Sequence, residues 1–148
     1  MVEYKMTMDQ IVPSQEWQSA VEFYVNPEIN EKFMNCLDDH NPWYTENSPF
    51  GWPIANQGVL HLRACEAMMR TYAIDPGPGG GSLHARQESE LHHPAKVGEK
   101  VKIEVRLINK YEKRNSDYIV TEARCLNEQG VLLLTSRYFR HFGRGKQK

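Results

Sequence analysis

Between Cys36 and Leu62 the chain reads CLDDHNPWYTENSPFGWPIANQGVLHL, and most of its chemistry-bearing residues fall in this span. Asp38 and Asp39 are adjacent carboxylates followed by His40, an Asn41-Pro42 corner and the aromatics Trp43 and Tyr44. A carboxylate at the end of a helix faces the negative pole of the macrodipole, which disfavours its charge and suits it to proton transfer near neutrality. The same residue types also make ordinary solvated turns, so DDHNP alone leaves a proton-transfer site and a plain helix stop both open. Downstream, Gln57-Gly58 opens an apolar segment, and a helix start there would aim unpaired backbone N–H groups at a carbonyl oxygen.

The elements that must position these groups are legible from spacing. Asn26 is a helix cap with Pro27 at the first position and Glu28 in the first turn. Ile29, Phe33 and Leu37 recur every four residues and predict the buried face of that helix. Proline keeps Asn41 out of helical geometry, so the helix stops before Pro42 and leaves Asp38 and Asp39 at its end. From Gln57 to Tyr72, Leu60, Ala64, Ala67 and Met68 share one face of a second, mostly buried helix, with a Glu66–Arg70 pair on its wet side. His61 reads as a satisfied core or interface histidine of this helix.

Around the two helices the chain is strand-like. Met1 to Glu16 is a polar lead-in arm, and Trp17 to Val25 alternates as a half-buried strand. IDPGPGGG, from Ile74 to Gly81, predicts a surface loop without regular structure; a phosphate-cradling loop lacks the following Gly-Lys-Ser/Thr. Strands follow from Leu83 to His93, around the alternating Val101, Ile103, Val105 and Leu107, from Tyr118 to Leu126 and from Val131 to Phe142. Polar turns at Arg114–Asp117 and Asn127–Gly130 join the last three as hairpins. Two helices followed by long hairpins define an α+β domain with an antiparallel sheet.

The quoted segments, in order DHNPWY, GWPIANQG, LHARQESELHHPAKVGEKV, YEKR and EARCLNEQG, together resemble the MaoC-like acyl dehydratases and (R)-specific enoyl-thioester hydratases, most closely their N-terminal-type dehydratase domain. The resemblance runs from about Val21 to Phe142. It implies a hot-dog fold, a curved antiparallel sheet wrapped around a long central helix, with two such units pairing. It also implies hydration of an enoyl thioester or dehydration of a 3-hydroxyacyl thioester, the acyl group carried on coenzyme A or a carrier protein, with no metal and no other cofactor. The family signature is Asp, any residue, Asn-Pro, any residue, His, and Asp39, Asn41 and Pro42 match it. The histidine position is Tyr44, a residue type that donates a hydrogen bond but is a poor base at neutral pH. Gly58 corresponds to the carried-over oxyanion donor, beside Gln57 where the family often has His. Trp43, Phe50 and Trp52 are candidates for an acyl-pocket wall. Arg86 is a candidate partner for a carrier phosphate.

The tyrosine at 44 opens a second expectation: a non-catalytic hot-dog subunit that binds acyl chains and pairs with an active one. A thioesterase or isomerase on the same scaffold is a third.

The totals restrict the class further. The 148 residues fit one domain, with an arm at 1–16 and a basic tail at 143–148. A 40% hydrophobic and 25% charged composition is that of a globular chain, and a net charge of -1 gives no case for nucleic acid or anionic membrane. Cys36, Cys65 and Cys125 are widely separated, which argues against a disulfide scaffold or a structural zinc site. His84 and His92 sit about 26 Å apart at ~3.3 Å per strand residue, too far to share a metal. Without an apolar run of ~20 residues or a signal-peptide core, the expected compartment is the cytoplasm. An exposed sheet edge predicts a homodimer or a hetero-oligomer with another hot-dog subunit.

Overall fold

The structure, a computed structural model, describes residues 6–143. The basic tail past Gly143 and the first five residues of the arm lie outside them. In chain order the elements are strand β1 (Met6–Thr7), strand β2 (Gln18–Tyr24), helix α1 (Pro27–Leu37), helix α2 (Gln57–Thr71), strand β3 (Ile74–Asp75) and strands β4 (Gly81–Leu91), β5 (Lys100–Lys113), β6 (Ser116–Asn127) and β7 (Leu132–Gly143). Single 3-10 turns occupy Met8–Gln10 and Pro42–Tyr44.

The five long strands form one antiparallel sheet in the order β2-β5-β6-β7-β4. The period-two pattern of β5 is realised on both faces. Val101, Ile103, Val105 and Leu107 are buried toward α2, with Ile119, Ala123 and Cys125 of β6 beside them. Leu60, Ala64, Ala67 and Met68 of α2 close this core, as their shared helical face requires. Each fully buried Leu, Ile or Met side chain of this layer contributes about 1.5–3 kcal/mol.

On the other face, charge replaces apolar contact. Arg106 of β5, Glu122 of β6 and Arg137 of β7 stand in one cross-strand row. The Glu122 carboxylate accepts from Arg106 Nε at 2.9 Å and from Arg137 Nε at 2.6 Å. Burial pushes the Glu122 carboxyl up, and its bonds to Arg137 and Arg106 outweigh this, so its pKa is lowered. Trp17 lies between the guanidinium groups of Arg106 and Arg124, at 4.2 and 4.4 Å from its ring centroid.

Four expectations are corrected. The arm is tied down: Ile11 is buried in the core and Met6–Thr7 pairs in parallel with Ile74–Asp75, so the Pro/Gly-rich segment begins with a short strand. Gly80 ends that segment where a Cβ would stand 2.3 Å from the Pro76 carbonyl oxygen, an approach open only to glycine. Helix α1 buries Asn30 and Met34 while Leu37 is exposed, because α1 packs on the loop that follows it rather than lying across the sheet. Glu66 pairs with Arg63 at 2.9 Å, one turn back, and not with Arg70.

Candidate active site

Helix α1 is capped as its sequence demands, with Asn26 Oδ1 accepting from Ile29 N–H at 2.8 Å. It ends at Asp38, which takes a left-handed conformation (φ 51°) and donates its N–H to the Met34 carbonyl. The stop thus precedes the Asn-Pro corner and is made by the cap itself. Asp39 N–H also donates to Met34 O, at 3.0 Å. The chain then turns through Pro42–Tyr44, where Asn41 Oδ1 accepts from Trp43 N–H. The turn brings the Tyr44 ring back under Asp39.

The Tyr44 hydroxyl donates to Asp39 Oδ2 at 2.8 Å. Asn56 Nδ2 donates to the same oxygen at 3.1 Å. Asp39 Oδ1 carries no hydrogen bond among the described residues. Burial, then the bond to Asp39, pushes the tyrosine hydroxyl up to about 12. Tyr44 is therefore a fixed donor at neutral pH.

Asn56 links this acid to the start of α2. Its Oδ1 accepts from Gly58 N–H at 2.9 Å as the helix cap, and its own N–H donates to Asn30 Oδ1 at 2.6 Å. Asn30, buried mid-helix, also donates through Nδ2 to the carbonyls of Tyr44 (3.1 Å) and Ile54 (3.4 Å). One buried amide therefore holds both ends of the loop 44–56. Gly58 is needed for close approach, since a Cβ there would meet the Phe33 ring at 2.9 Å. Its N–H, expected to face an oxyanion, is engaged by the Asn56 cap.

Asp39, Asn56, Gln57 and Gly58 open onto a cavity of about 430 Å³, whose apolar walls are Leu37, Leu91 and Leu134. His61 and Ser89 line the same cavity. An adjoining cleft of about 200 Å³ takes in Asn41, Trp43, Tyr44 and Gln57. The structure thus brings together Asp39, Asn41, Trp43, Tyr44, Gln57 and Gly58.

It separates the rest. Phe50 and Trp52 line a different and larger hollow of about 800 Å³, with Lys96 stacked 5.6 Å over the Trp52 ring. Arg86 is on the outer strand β4, paired with Glu88 and stacked at 5.3 Å on Phe139. His40 faces solvent and pairs with Asp38 at 3.3 Å. Asn30, Asn56, His61 and Ser89 were not singled out as site residues from sequence. Asn56 had a detectable signal, a cap-type residue directly before a helix start. Among the described residues no group of three His, Cys, Asp or Glu could hold a metal ion, and no helix is long and apolar enough to cross a membrane.

A five-stranded antiparallel sheet packed on one central helix is the hot-dog architecture, shared with a MaoC-like dehydratase from Rhodospirillum rubrum. The family model described as "FAS1-like, dehydratase domain region" matches residues 15–136, and the chain belongs to that family. No curated protein matches. Among solved structures, the chain is similar to a monoamine oxidase regulatory protein from Archaeoglobus fulgidus, with 16% identity, TM-score 0.78, and 97% of this chain and 98% of that one covered. An (R)-hydratase from Pseudomonas aeruginosa follows at 16% identity and TM-score 0.71, covering 96% and 92%. The 3R-hydroxyacyl-ACP dehydratase complex HadBC of Mycobacterium tuberculosis gives 19% and 0.70, covering 86% and 93%.

Proposed function

We propose that this chain is a hydro-lyase acting on acyl thioesters, hydrating a 2-enoyl thioester or dehydrating its 3-hydroxy counterpart on coenzyme A or a carrier protein. The observation that carries the reading is that Asp39 lines one cavity with the tip of α2, its Oδ2 held and its Oδ1 without a hydrogen bond among the described residues. Tyr44 and Asn56 hold Oδ2, so the carboxylate is oriented and its other oxygen is left for a water. In the hydration direction, that water adds its oxygen to Cβ of the enoyl group while the π electrons move through Cα to the thioester oxygen. One proton of the water, released as its oxygen bonds to Cβ and held in the site, is delivered to Cα. The enolate oxygen is stabilised at the α2 tip, where Gly58 N–H exchanges its Asn56 partner for the substrate oxygen.

Purified chain given a crotonyl thioester should consume it, and Asp39→Asn should reduce turnover at least about 100-fold. Undiminished turnover in Asp39→Asn rejects the assignment.

A second reading has its own support. Tyr44 is locked as a donor and Gly58 N–H is already bonded, features that suit a subunit that binds acyl chains beside an active partner. The HadBC relative is a two-component dehydratase by its description. Turnover by this chain alone excludes that reading. We further propose a homodimer or a hetero-oligomer with another hot-dog subunit, formed through β4.

A further inference from the structure

The signature position for histidine holds Tyr44, and the histidine next to Asp39 in sequence, His40, points to solvent. Yet an imidazole does reach the cavity. His61 lies one turn into α2 after Gly58, is half-buried, and lines the same 430 Å³ hollow as Asp39. Its Nδ1 is 3.2 Å from Ser89 Oγ on β4. Ser89 Oγ is in turn 3.0 Å from Ser136 Oγ on β7, which accepts from Gln87 Nε2 at 3.2 Å. His61 Nε2 has no hydrogen bond among the described residues.

Gln87 donates through Nε2 to Ser136 Oγ, and the Ser136 and Ser89 hydroxyls share one hydrogen bond. With the Ser89 proton turned to Ser136, Ser89 Oγ accepts from His61 Nδ1–H and Nε2 is the basic nitrogen, the tautomer the proposal uses. A neighbour that fixes one ring nitrogen and frees the other is the usual way a protein prepares an imidazole for proton transfer.

We propose that His61 is a catalytic acid–base residue of this site, paired with Asp39 across the cavity and supplying the imidazole that Tyr44 does not. The inference rests on the hydro-lyase reading above. In hydration, His61 Nε2 takes one proton of the water while Asp39 Oδ1 accepts the other hydrogen and orients it. The water oxygen bonds to Cβ, the C=C π pair moves to give the enolate, and the imidazolium returns its proton to Cα. One water is consumed, both of its hydrogens remain in the product, and no oxidant or reductant is needed. Ser89 acts through His61 and is a positioning residue.

The test is turnover of crotonyl-coenzyme A by the purified full chain and by Asp39→Asn, His61→Ala, His61→Asn and Ser89→Ala, with a melting curve for each. His61→Ala should lose about 100- to 10,000-fold in kcat while staying folded, and added imidazole should restore part of it. Ser89→Ala should lower kcat about 10-fold with little change in KM. If His61→Ala and His61→Asn turn over within three-fold of wild type while Asp39→Asn is dead, the inference falls and the hydro-lyase reading stands. If activity disappears only together with the folded state in both His61 variants, the histidine is structural and the inference also falls. If wild type itself shows no turnover, the hydro-lyase reading of the isolated chain fails and takes this proposal with it.

Discussion

Asp39 is useful chemically because its two oxygens are unequal. Oδ2 accepts from Tyr44 and Asn56, whereas Oδ1 has no hydrogen bond among the described residues, and the residue lines the cavity. Removing the tyrosine hydroxyl should therefore misorient the acid without unfolding the chain: Tyr44→Phe is expected to lower kcat about 10-fold while shifting the melting temperature by only a few degrees, since one part-buried hydrogen bond contributes about 1–1.5 kcal/mol. The pH dependence has a definite sign. A hydroxyl raised to about 12 in the folded state, against ~10 unfolded, contributes stability below pH ~10 that is lost as pH rises from there toward 12. Between pH 7 and 9 the rate profiles of wild type and Tyr44→Phe should thus run parallel, and a tyrosine-dependent limb there would mean a working phenolate. Asp39 and Tyr44 were legible as candidates through the resemblance to the Asp-x-Asn-Pro-x-His signature, and the local turn at Asn41-Pro42 is what lets them meet. Asn56 and His61 were not, as their partners lie 17 and 28 residues away and meet them only through tertiary packing.

Among the elements, the loop between α1 and α2 is held by contacts that no periodicity announces. Repetition every four residues marked Ile29, Phe33 and Leu37 as the buried face of α1, but the residue that decides its docking is the polar Asn30. Its amide replaces the backbone partners that the loop would lack, so Asn30→Ala leaves two carbonyls and the Asn56 N–H unsatisfied in a buried place. The expected cost is about 2–3 kcal/mol, a fall of roughly 4–12 °C in melting temperature, with turnover lost because Asn56 no longer steadies Asp39. Calorimetry at neutral pH checks this, and an unchanged melting point would show that water satisfies the loop. The sheet is held differently. Its alternation was plain in β5, whereas the row Arg106–Glu122–Arg137 required knowing the strand register. Glu122, with its carboxyl held below the usual range, contributes stability that is present above ~pH 4.5 and lost as pH falls through its lowered value. Glu122→Gln should destabilise by about 2 kcal/mol at pH 7, discounted because Arg137 is half exposed, and the difference from wild type should shrink in acid. A difference that is constant from pH 7 to pH 3 would place the effect in packing instead of charge.

At the scale of the molecule, the fold class and the order of the last three strands, joined as two hairpins, follow from pattern alone, while any pairing of chains depends on which edge remains open. β2 and β4 are the edges of the sheet. β4 is the longer, 11 residues against 7, and nearly all its residues are exposed. It also lies beside α2, through Ser89–His61 and Gln87–Cys65, and its own Leu83 and Leu91 are exposed apolar side chains. The proposed pairing would use this open strand, and a two-fold arrangement would bring a second chain against the cavity wall formed by Ser89 and Leu91. Leu83, 66% exposed, stands about 20 Å along β4 from that wall at ~3.3 Å per residue, so it tests the assembly without touching the site. In a two-fold dimer each substitution counts twice. Leu83→Lys should then lose about 4 kcal/mol of association, raising Kd roughly 1,000-fold, because each buried leucine contributes about 2 kcal/mol. Sedimentation equilibrium should find wild type at twice the chain mass and Leu83→Lys at the single-chain mass in the micromolar range. Turnover should fall with dissociation, since a lone chain leaves its cavity open to bulk water along β4. Wild type sedimenting as a monomer at full activity would refute both the pairing edge and its role in enclosing the site.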